Sequence, residues 1–456
     1  MTALAINAAP AKFEPYQFKA SNGTVVDAEK GEFLVPENRA KADSRKLAIR
    51  FVRFKSTSAN PGPPIVYLAG GPGGAGTGAA TGSRFPLFMA LREFGDVIAY
   101  DARGVHQSEP DARCTEQVMI DPGEPLDRAK FGAALAAGMR QCAERMRKAG
   151  FDPGSLNTRE SAADLDDLRV AIGAKKLILW GISYGTHLAA ATLRYHPDAI
   201  DRVILAGIEG PDDSYKLPSD QQSLMEEIAR RAYHDGKSVD LLASIAKLMN
   251  ELEARPKSVE LADPQSGAKA TFVVGKLDLQ RALANMLFAP ENFKDMPEMI
   301  ATFEQGDWRA LAMSAVGDRM GPLPSMMSIA MDCASGITAA RRQRIAEEVK
   351  FTLLGDAINV PFPEICEGLN IPDLGDAFRG PLKSDVPALL ISGTLDGRTR
   401  PRQAEEFRRL MPNAVTLVIE GAGHSDPLFL SSPTILETMK VFLRGEVVKE
   451  RYIVLK

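Results

Sequence analysis

The sequence predicts an α/β fold in which a mostly parallel sheet carries flanking helices and an inserted helical lid. In the first 211 residues, short apolar runs alternate with amphipathic helical stretches, which is typical of parallel strands joined by crossover helices. The pattern then becomes mainly helical, and strand patterns resume near residue 386. We therefore expect a core of residues 1–211 and 381–456, with residues 212–380 forming the lid.

Composition and charge limit the class of protein. Of the 456 residues, 45% are hydrophobic and 25% are charged, which is ordinary for a globular protein. The formal net charge of −4 argues against nucleic acid or an anionic membrane as a partner. No apolar run approaches the ~20 residues that a membrane-spanning helix needs. The first ten residues carry no Lys or Arg, so we expect either a cytoplasmic protein or a mature form without its signal peptide.

Strand patterns begin early in the chain. Residues 1–20 are expected to form an irregular arm, followed by short strands at 25–26 and 32–36. Residues 47–54 alternate apolar and polar side chains, which favours a half-buried strand. The apolar run at 65–68 predicts a fully buried strand.

A glycine-rich loop, AGGPGGAG at residues 69–76, follows that buried strand. Such a loop can bind phosphate, but no Gly-Lys-Ser/Thr ending is present to hold a nucleotide. An oxyanion-hole loop is favoured instead, because bare backbone must there approach a substrate carbonyl closely. We therefore predict that the backbone N–H of Gly71 is an oxyanion donor.

The most informative pattern is a strand at 177–180, a G-x-S-x-G motif at 181–185 and a helix that extends to residue 195. This is the context of a nucleophile elbow, in which a tight turn raises the serine hydroxyl above the sheet. Ser183 is the predicted nucleophile, and the N–H of Tyr184 is the second predicted oxyanion donor. The neighbouring predicted elements are a strand at 96–100, helices at 127–149 and 159–172, and a strand at 202–206.

The predicted lid is mainly helical. Its predicted helices lie near 219–234, 238–254, 276–289, 296–315 and 338–354. Ten of the 17 methionines fall in this part of the chain. Methionine adapts to irregular apolar shapes, so it suits a pocket roof, although filling a core is its commoner use. The core pattern then resumes with strands at 386–392 and 414–419 and helices at 401–411 and 433–444.

A serine hydroxyl needs a base, and the base needs an acid to fix its tautomer. Of the five histidines, His424 alone follows a late strand in a Gly-rich loop. Asp396 comes directly after the strand at 386–392. The order Ser183, Asp396, His424 is the chain order of α/β-hydrolases. We therefore predict these three residues as a catalytic triad.

The four cysteines are arranged in two local pairs. Cys114 and Cys142 flank one predicted helical segment, and Cys333 and Cys366 flank another. Four cysteines allow three pairings, so spacing leaves both two disulfides and four free thiols open. No C-x-x-C pattern accompanies them. Neither a metal nor an organic cofactor is expected.

Together these motifs resemble the α/β-hydrolase family of prolyl iminopeptidases and secreted tripeptidyl aminopeptidases. The residues that carry the resemblance are VPENR at 35–39, GGPGG at 70–74, DARG at 101–104 with Ser108, WGISYGT at 180–186, Asp396 and GH at 423–424. The resemblance implies an α/β-hydrolase fold, disulfides Cys114–Cys142 and Cys333–Cys366, and a mature periplasmic or secreted protein, with a cytoplasmic location as the alternative.

The sequence departs from this family in the residues that would hold a substrate amine. Prolyl iminopeptidases use lid glutamates in a Trp-containing motif, and that motif is absent here. Glu209, just after a core strand, and Glu226 and Glu227 in the first lid helix are the candidates. Acidic residues at such positions more often form a solvated helix surface.

We expect a serine hydrolase that releases residues or short peptides from free amino termini through an acyl-enzyme. The alternative is a carboxylesterase or lactonase acting on a hydrophobic small-molecule ester. A non-catalytic binding protein on the same scaffold is a third hypothesis. The expected partner is thus a peptide or ester substrate, and the oligomeric state is left open.

Overall fold

A ten-stranded sheet forms the centre of the computed structural model, which describes residues 9–234, 240–262, 269–288 and 290–455. The strands in chain order are β1 Lys12–Lys19, β2 Val25–Pro36, β3 Lys46–Phe54, β4 Ile65–Leu68, β5 Val97–Tyr100, β6 Leu177–Ser183, β7 Ile200–Ile208, β8 Lys257–Ala262, β9 Lys269–Val274, β10 Ala388–Gly393, β11 Ala414–Glu420 and β12 Tyr452–Val454. The large sheet has the order β1-β2-β3-β5-β4-β6-β7-β10-β11-β12, and within the described residues β8 and β9 form a separate two-stranded sheet. In this order, the pairs β1–β2, β2–β3 and β3–β5 are antiparallel. All the later pairs in the large sheet, from β5–β4 to β11–β12, are parallel.

Helices flank this sheet and form most of the region between β7 and β10. They are α1 Gly76–Thr81, α2 Phe85–Leu91, α3 Arg128–Lys148, α4 Thr158–Ala171, α5 Tyr184–Tyr195, α6 Pro218–His234, α7 Leu241–Ala254, α8 Lys276–Met286, α9 Met296–Glu304, α10 Arg309–Met320, α11 Met326–Ser335, α12 Ala339–Glu348, α13 Asp376–Arg379, α14 Pro401–Arg408, α15 Pro427–Leu430 and α16 Pro433–Leu443. The predicted fold class is confirmed.

Strand β6 is buried on both faces because its apolar side chains alternate between two cores. Leu177 and Leu179 pack into the core on one side of the sheet. Ile178, Trp180 and Ile182 pack into the core on the other. Two parallel neighbours, β4 and β7, flank β6. The carboxyl end of β6 therefore lies in the interior of the sheet, with strands on both sides.

The expected irregular amino-terminal arm is wrong for part of its length. Residues 12–19 form β1, which pairs antiparallel with β2, while residues 1–8 lie outside the described residues. The two short strands expected at 25–26 and 32–36 are one twelve-residue strand. Charged residues interrupt the apolar ones along β1 and β2, so the sequence lacks the regular alternation that would have predicted these two strands at full length. In β2, Gly31 makes room for the Phe51 ring, because a Cβ there would lie 2.1 Å from Phe51 Cζ.

Among the described residues, the region predicted as a lid contains seven helices of nine or more residues and an antiparallel strand pair, β8 with β9, that was not predicted. The single helix expected at 296–315 is two helices, α9 and α10, which are separated where Gly306 adopts a φ of +88°. Helices α6 to α10 share their own apolar core. Helix α11 instead packs Met326, Met327 and Met331 into the core of the sheet.

The structure contains the two disulfides implied by the resemblance, Cys114–Cys142 and Cys333–Cys366. The second ties α11 to a loop near Ile365, which packs in the same core as the sheet. This bond therefore anchors part of the predicted lid to the sheet. In the described ranges, every helix is too short or too polar to span a lipid bilayer.

Candidate active site

Ser183 lies at the sharp turn between β6 and α5. Its backbone has φ 54° and ψ −125°, a conformation that a residue with a side chain rarely adopts. Two glycines make the turn possible. A Cβ on Gly185 would lie 2.1 Å from the carbonyl oxygen of Leu68, and one on Gly181 would lie 2.8 Å from the carbonyl oxygen of Gly185. The predicted elbow geometry is therefore present, and the close approach of neighbouring backbone explains why glycine is needed at 181 and 185.

The glycine-rich loop lies directly against Ser183. A Cβ on Gly70 would lie only 3.0 Å from the Cβ of Ser183. Gly71 has a φ of +121°, a region that favours glycine. The first N–H groups of a helix have no acceptor within the helix, so the N–H of Tyr184 is left for a ligand. The positive end of the helix dipole also lies at this point.

His424 and Asp396 form a buried pair at the carboxyl ends of β11 and β10. Nδ1 of His424 lies 2.8 Å from Oδ2 of Asp396, whose side chain is fully buried. Asp396 also accepts hydrogen bonds from the N–H groups of Arg398 and Thr399 and from the Thr399 hydroxyl. Burial raises the pKa of Asp396, but His424 and the Thr399 donors outweigh it, so the pKa lies below its usual range. An ionised Asp396 favours the proton on Nδ1 and leaves Nε2 as the basic nitrogen.

One cavity of about 430 Å³ brings the predicted residues together. Ser183, His424, Gly70 and Gly71 all line it. In the part of the chain that the structure describes, no hydrogen bond joins Ser183 Oγ to His424. Such bonds are often long before substrate binds and shorten in the substrate complex. The arrangement places a hydroxyl, a base and bare backbone around one space, which suits acyl transfer.

Two further residues near His424 were not predicted. Gly207, in β7, has a φ of +59°, and a Cβ there would lie 3.0 Å from Thr399 Oγ1 and 3.1 Å from His424 Cε1. Phe288, just after α8, makes a T-shaped ring contact with the His424 imidazole, with centroids 5.3 Å apart. Both contacts join segments that are distant in sequence, so no local pattern indicates them.

The structure separates the three predicted amine-binding glutamates. Glu209 is buried and forms a 2.6 Å ion pair with Lys216. Glu226 is exposed on α6, where Gln222 donates to it. Glu227 pairs with arginines of its own helix. None of these three glutamates lines the cavity that holds Ser183 and His424.

A carboxylate that the sequence analysis did not predict, Asp332, lies near enough to Glu209 for the charge of Glu209 to raise its pKa. It is half-buried, and among the described residues it has no hydrogen bond or ion pair to its side chain. Burial raises its pKa well above the usual range, and the negative charge of Glu209 raises it further. The preceding residue, Met331, has its sulfur 3.1 Å from the Tyr184 hydroxyl. Lys216 and Arg398 act in the opposite direction on the pKa of Asp332. Among the described residues, Asp332 is therefore a carboxylate without a direct ion-pair partner, close to the residue that follows Ser183.

Helix α11 positions this carboxylate. A Cβ on Gly73 would lie 3.5 Å from Ser325 Oγ and 3.7 Å from Ser328 Cβ, so this side of α11 lies over the glycine loop. Asp332 follows Ser328 by four residues and so shares its helix face. The face that covers the glycine loop thus continues to Asp332.

Comparison with known proteins agrees with the geometry. The sequence pattern of the family described as alpha/beta hydrolase fold matches residues 63–429. Serine protease Hip1 of Mycobacterium tuberculosis is 30% identical over 190 residues, which cover 40% of this chain and 36% of that protein. Tripeptidyl aminopeptidase of Streptomyces coelicolor is 25% identical over 302 residues, which cover 63% of this chain and 55% of that protein. The match therefore spans about a third of the length of the first relative and about half of the length of the second.

Proposed function

This chain belongs to the α/β-hydrolase family, and on that premise we propose that it is a serine hydrolase that cleaves peptides near a free amino terminus. The observation that carries the proposal is a single cavity lined by Ser183, His424 and the glycine-rich loop. The likeness to a serine protease and to a tripeptidyl aminopeptidase supports peptides as the substrate class.

In the proposed reaction Ser183 Oγ attacks the scissile carbonyl carbon while Nε2 of His424 takes its proton. The tetrahedral intermediate collapses as His424 gives that proton to the leaving amine, which yields an acyl-enzyme on Ser183. Water, deprotonated by His424, then releases the acyl product. Asp396 holds the imidazole through Nδ1 and stabilises the imidazolium that forms in each half-reaction.

The developing oxyanion is stabilised by the backbone N–H groups of Gly71 and Tyr184. Both belong to rigid turns, so they need no rearrangement when the charge forms. Loss of one such donor typically costs about 3–4 kcal/mol of transition-state stabilisation. The close contact between Gly70 and Ser183 supports this assignment, because it keeps the loop beside the attacked carbonyl.

The substrate amine is assigned to Asp332 together with the Glu209–Lys216 pair. Lys216 already neutralises Glu209, whereas the raised pKa of Asp332 reflects burial beside a like charge. A bound ammonium group would supply the missing positive charge.

The helical region at 212–380 is proposed to act as a lid that restricts access to short or unblocked chains. Phe288 from this region contacts His424, and α11 covers the glycine loop. The two disulfides support a location in an oxidising compartment, which is the periplasm or the cell exterior.

The test is a matched substrate panel with Ser183→Ala as the blank. Aminoacyl and tripeptidyl 4-nitroanilides with free amines are compared with the same compounds N-acetylated and with short 4-nitrophenyl esters. Turnover that requires the free amine supports the proposal. Turnover of esters alone would instead establish a carboxylesterase or lactonase. Failure of a fluorophosphonate to label Ser183 would indicate a non-catalytic binding protein.

A further inference from the structure

Arg398 lies at the wall of the candidate active-site cavity, and it forms no direct ion pair with any described residue. It lies two residues after Asp396 and lines the same cavity as Ser183 and His424. The side chain is half-buried. Among the described residues, no carboxylate lies within ion-pair distance of its guanidinium and no hydrogen bond is made by it. Burial lowers the pKa of Arg398, although Glu209, Asp396 and Asp332 act in the opposite direction.

Neighbouring arginines are all satisfied, which makes Arg398 unusual. Arg84, which also lines the cavity, pairs with Asp426 at 2.8 Å. Arg400 donates to the backbone carbonyl of Thr394 at 2.6 Å. Arg402 pairs with Asp220 at 2.9 Å and also with Glu406. Even partial burial of an unpaired cation carries a desolvation cost, which a bound anion would offset.

The position of Arg398 indicates which part of a substrate it meets. Its guanidinium lies over the Phe288 ring, 5.8 Å from the centroid, and the same ring contacts His424. In serine acyl transfer the histidine gives its proton to the leaving group. The leaving group therefore lies on the His424 side of the scissile bond, which is also the side of Arg398. The oxyanion lies toward the glycine loop, which contacts Ser183.

We propose that Arg398 binds a carboxylate on the leaving group, so that the preferred substrates are short peptides with a free carboxyl terminus close to the scissile bond. This inference rests on the proposed serine acyl transfer and narrows its substrate class. A planar guanidinium is suited to this task because it can donate two parallel hydrogen bonds to one carboxylate. The cation–π contact with Phe288 keeps the guanidinium on the His424 side of the cavity.

The test varies only the charge of the leaving group. Aminoacyl 4-carboxyanilides are compared with 4-carbamoylanilides, and the matching 4-carboxyphenyl and 4-carbamoylphenyl esters form a second pair. The proteins are the wild type, Arg398→Gln, Arg398→Lys and the control Arg402→Gln, which removes a nearby arginine that does not line the cavity. Fluorophosphonate labelling of Ser183 measures the active fraction of each preparation.

We expect the wild type to prefer the carboxylate substrate by about 10- to 100-fold in kcat/KM, as a charge-assisted hydrogen bond implies. Arg398→Gln should bring this ratio close to one, Arg398→Lys should retain part of it, and Arg402→Gln should keep it. A wild-type ratio near one, or an unchanged ratio in Arg398→Gln, would overturn the inference.

The second substrate pair separates the two proposals. If the anilides are inert and the esters react, the peptidase proposal fails, and the ester pair still decides the role of Arg398. If Arg398→Gln is not labelled, inhibition of the wild type by 4-aminobenzoate and by 4-aminobenzamide decides it. Stronger inhibition by the carboxylate supports the inference, and equal inhibition contradicts it.

Discussion

Nδ1 of His424 lies 2.8 Å from Oδ2 of Asp396, and the aspartate side chain is fully buried. Three protein donors besides the histidine, from Arg398 and Thr399, hold that carboxylate in its ionised form. The ionised carboxylate thus contacts the imidazole at Nδ1 and leaves Nε2 free to act as the base. This relationship makes the tautomer of His424 a property of the fold, and the proposed reaction depends on it.

Asp396→Asn is expected to lower kcat by about 10³- to 10⁴-fold, because an amide can donate to Nδ1 and stabilise the wrong tautomer. The measurement is turnover of the best free-amine anilide, with labelling by fluorophosphonate to count folded enzyme. Glu406→Gln, an exposed carboxylate on α14, is the control. A loss of less than tenfold in Asp396→Asn would remove Asp396 from the proposed triad.

Gly207→Ala is expected to lower both activity and stability. The new Cβ would press on Thr399 Oγ1 and His424 Cε1, and alanine at a φ of +59° adds backbone strain of about 1–2 kcal/mol. Gly173→Ala is the matched control, because Gly173 has a φ of +73° but nothing within 4 Å of the added Cβ. Thermal unfolding should show a loss in both variants, whereas kcat should fall only in Gly207→Ala. Equal kcat values would mean that the contact with His424 is unimportant.

Asp332→Asn should reduce the preference for free-amine over N-acetylated substrates. The amide keeps the shape of the carboxylate but cannot balance an ammonium charge, so the preference in kcat/KM should fall by about 10- to 100-fold. The ratio for each protein is measured on paired anilides, and Glu226→Gln serves as the control because Glu226 is an exposed carboxylate of α6. If Glu226→Gln reduced the ratio and Asp332→Asn did not, the amine would be bound on α6.

The contrast between these residues shows what the sequence could predict. The elbow around Ser183 and the strand ends before Asp396 and His424 depend on neighbours in the chain, so local patterns were sufficient to predict the fold class and to nominate these residues. Gly207, Asp332 and Arg398 acquire their surroundings only when β7, α11 and the loop after β10 meet. No spacing rule identifies such contacts from one sequence.

Strand β1 was missed for a different reason. Its apolar residues Phe13 and Phe18 are separated by charged and polar ones, a composition that suits an exposed sheet edge as well as an irregular arm. Phe18 becomes buried because its ring packs against Phe54 at 4.9 Å between centroids. Packing against another strand of the sheet, β3, and not the local pattern, therefore buries Phe18.

Asp332 also predicts a pH dependence of stability. Its pKa is raised in the folded protein, so between the ordinary carboxyl pKa and the folded value the native state binds more protons than the unfolded state. The contribution of Asp332 to the free energy of unfolding is therefore complete below about pH 4, the usual range of an unfolded aspartate. It declines as pH rises through the folded pKa. Asp332→Asn, which cannot ionise, should be more stable than the wild type at pH 7, and this advantage should disappear at acid pH.

Denaturant unfolding of both proteins between pH 4 and 8 measures the effect, and Glu226→Gln again serves as the exposed control. A stability difference that does not change with pH would show that Asp332 ionises normally. The expected gain also opposes the expected loss of amine preference in the same variant. A side chain that lowers the free energy of unfolding but is needed for substrate preference serves binding and not stability. If Asp332→Asn both gains stability at pH 7 and loses the preference for free amines, Asp332 is part of the binding site.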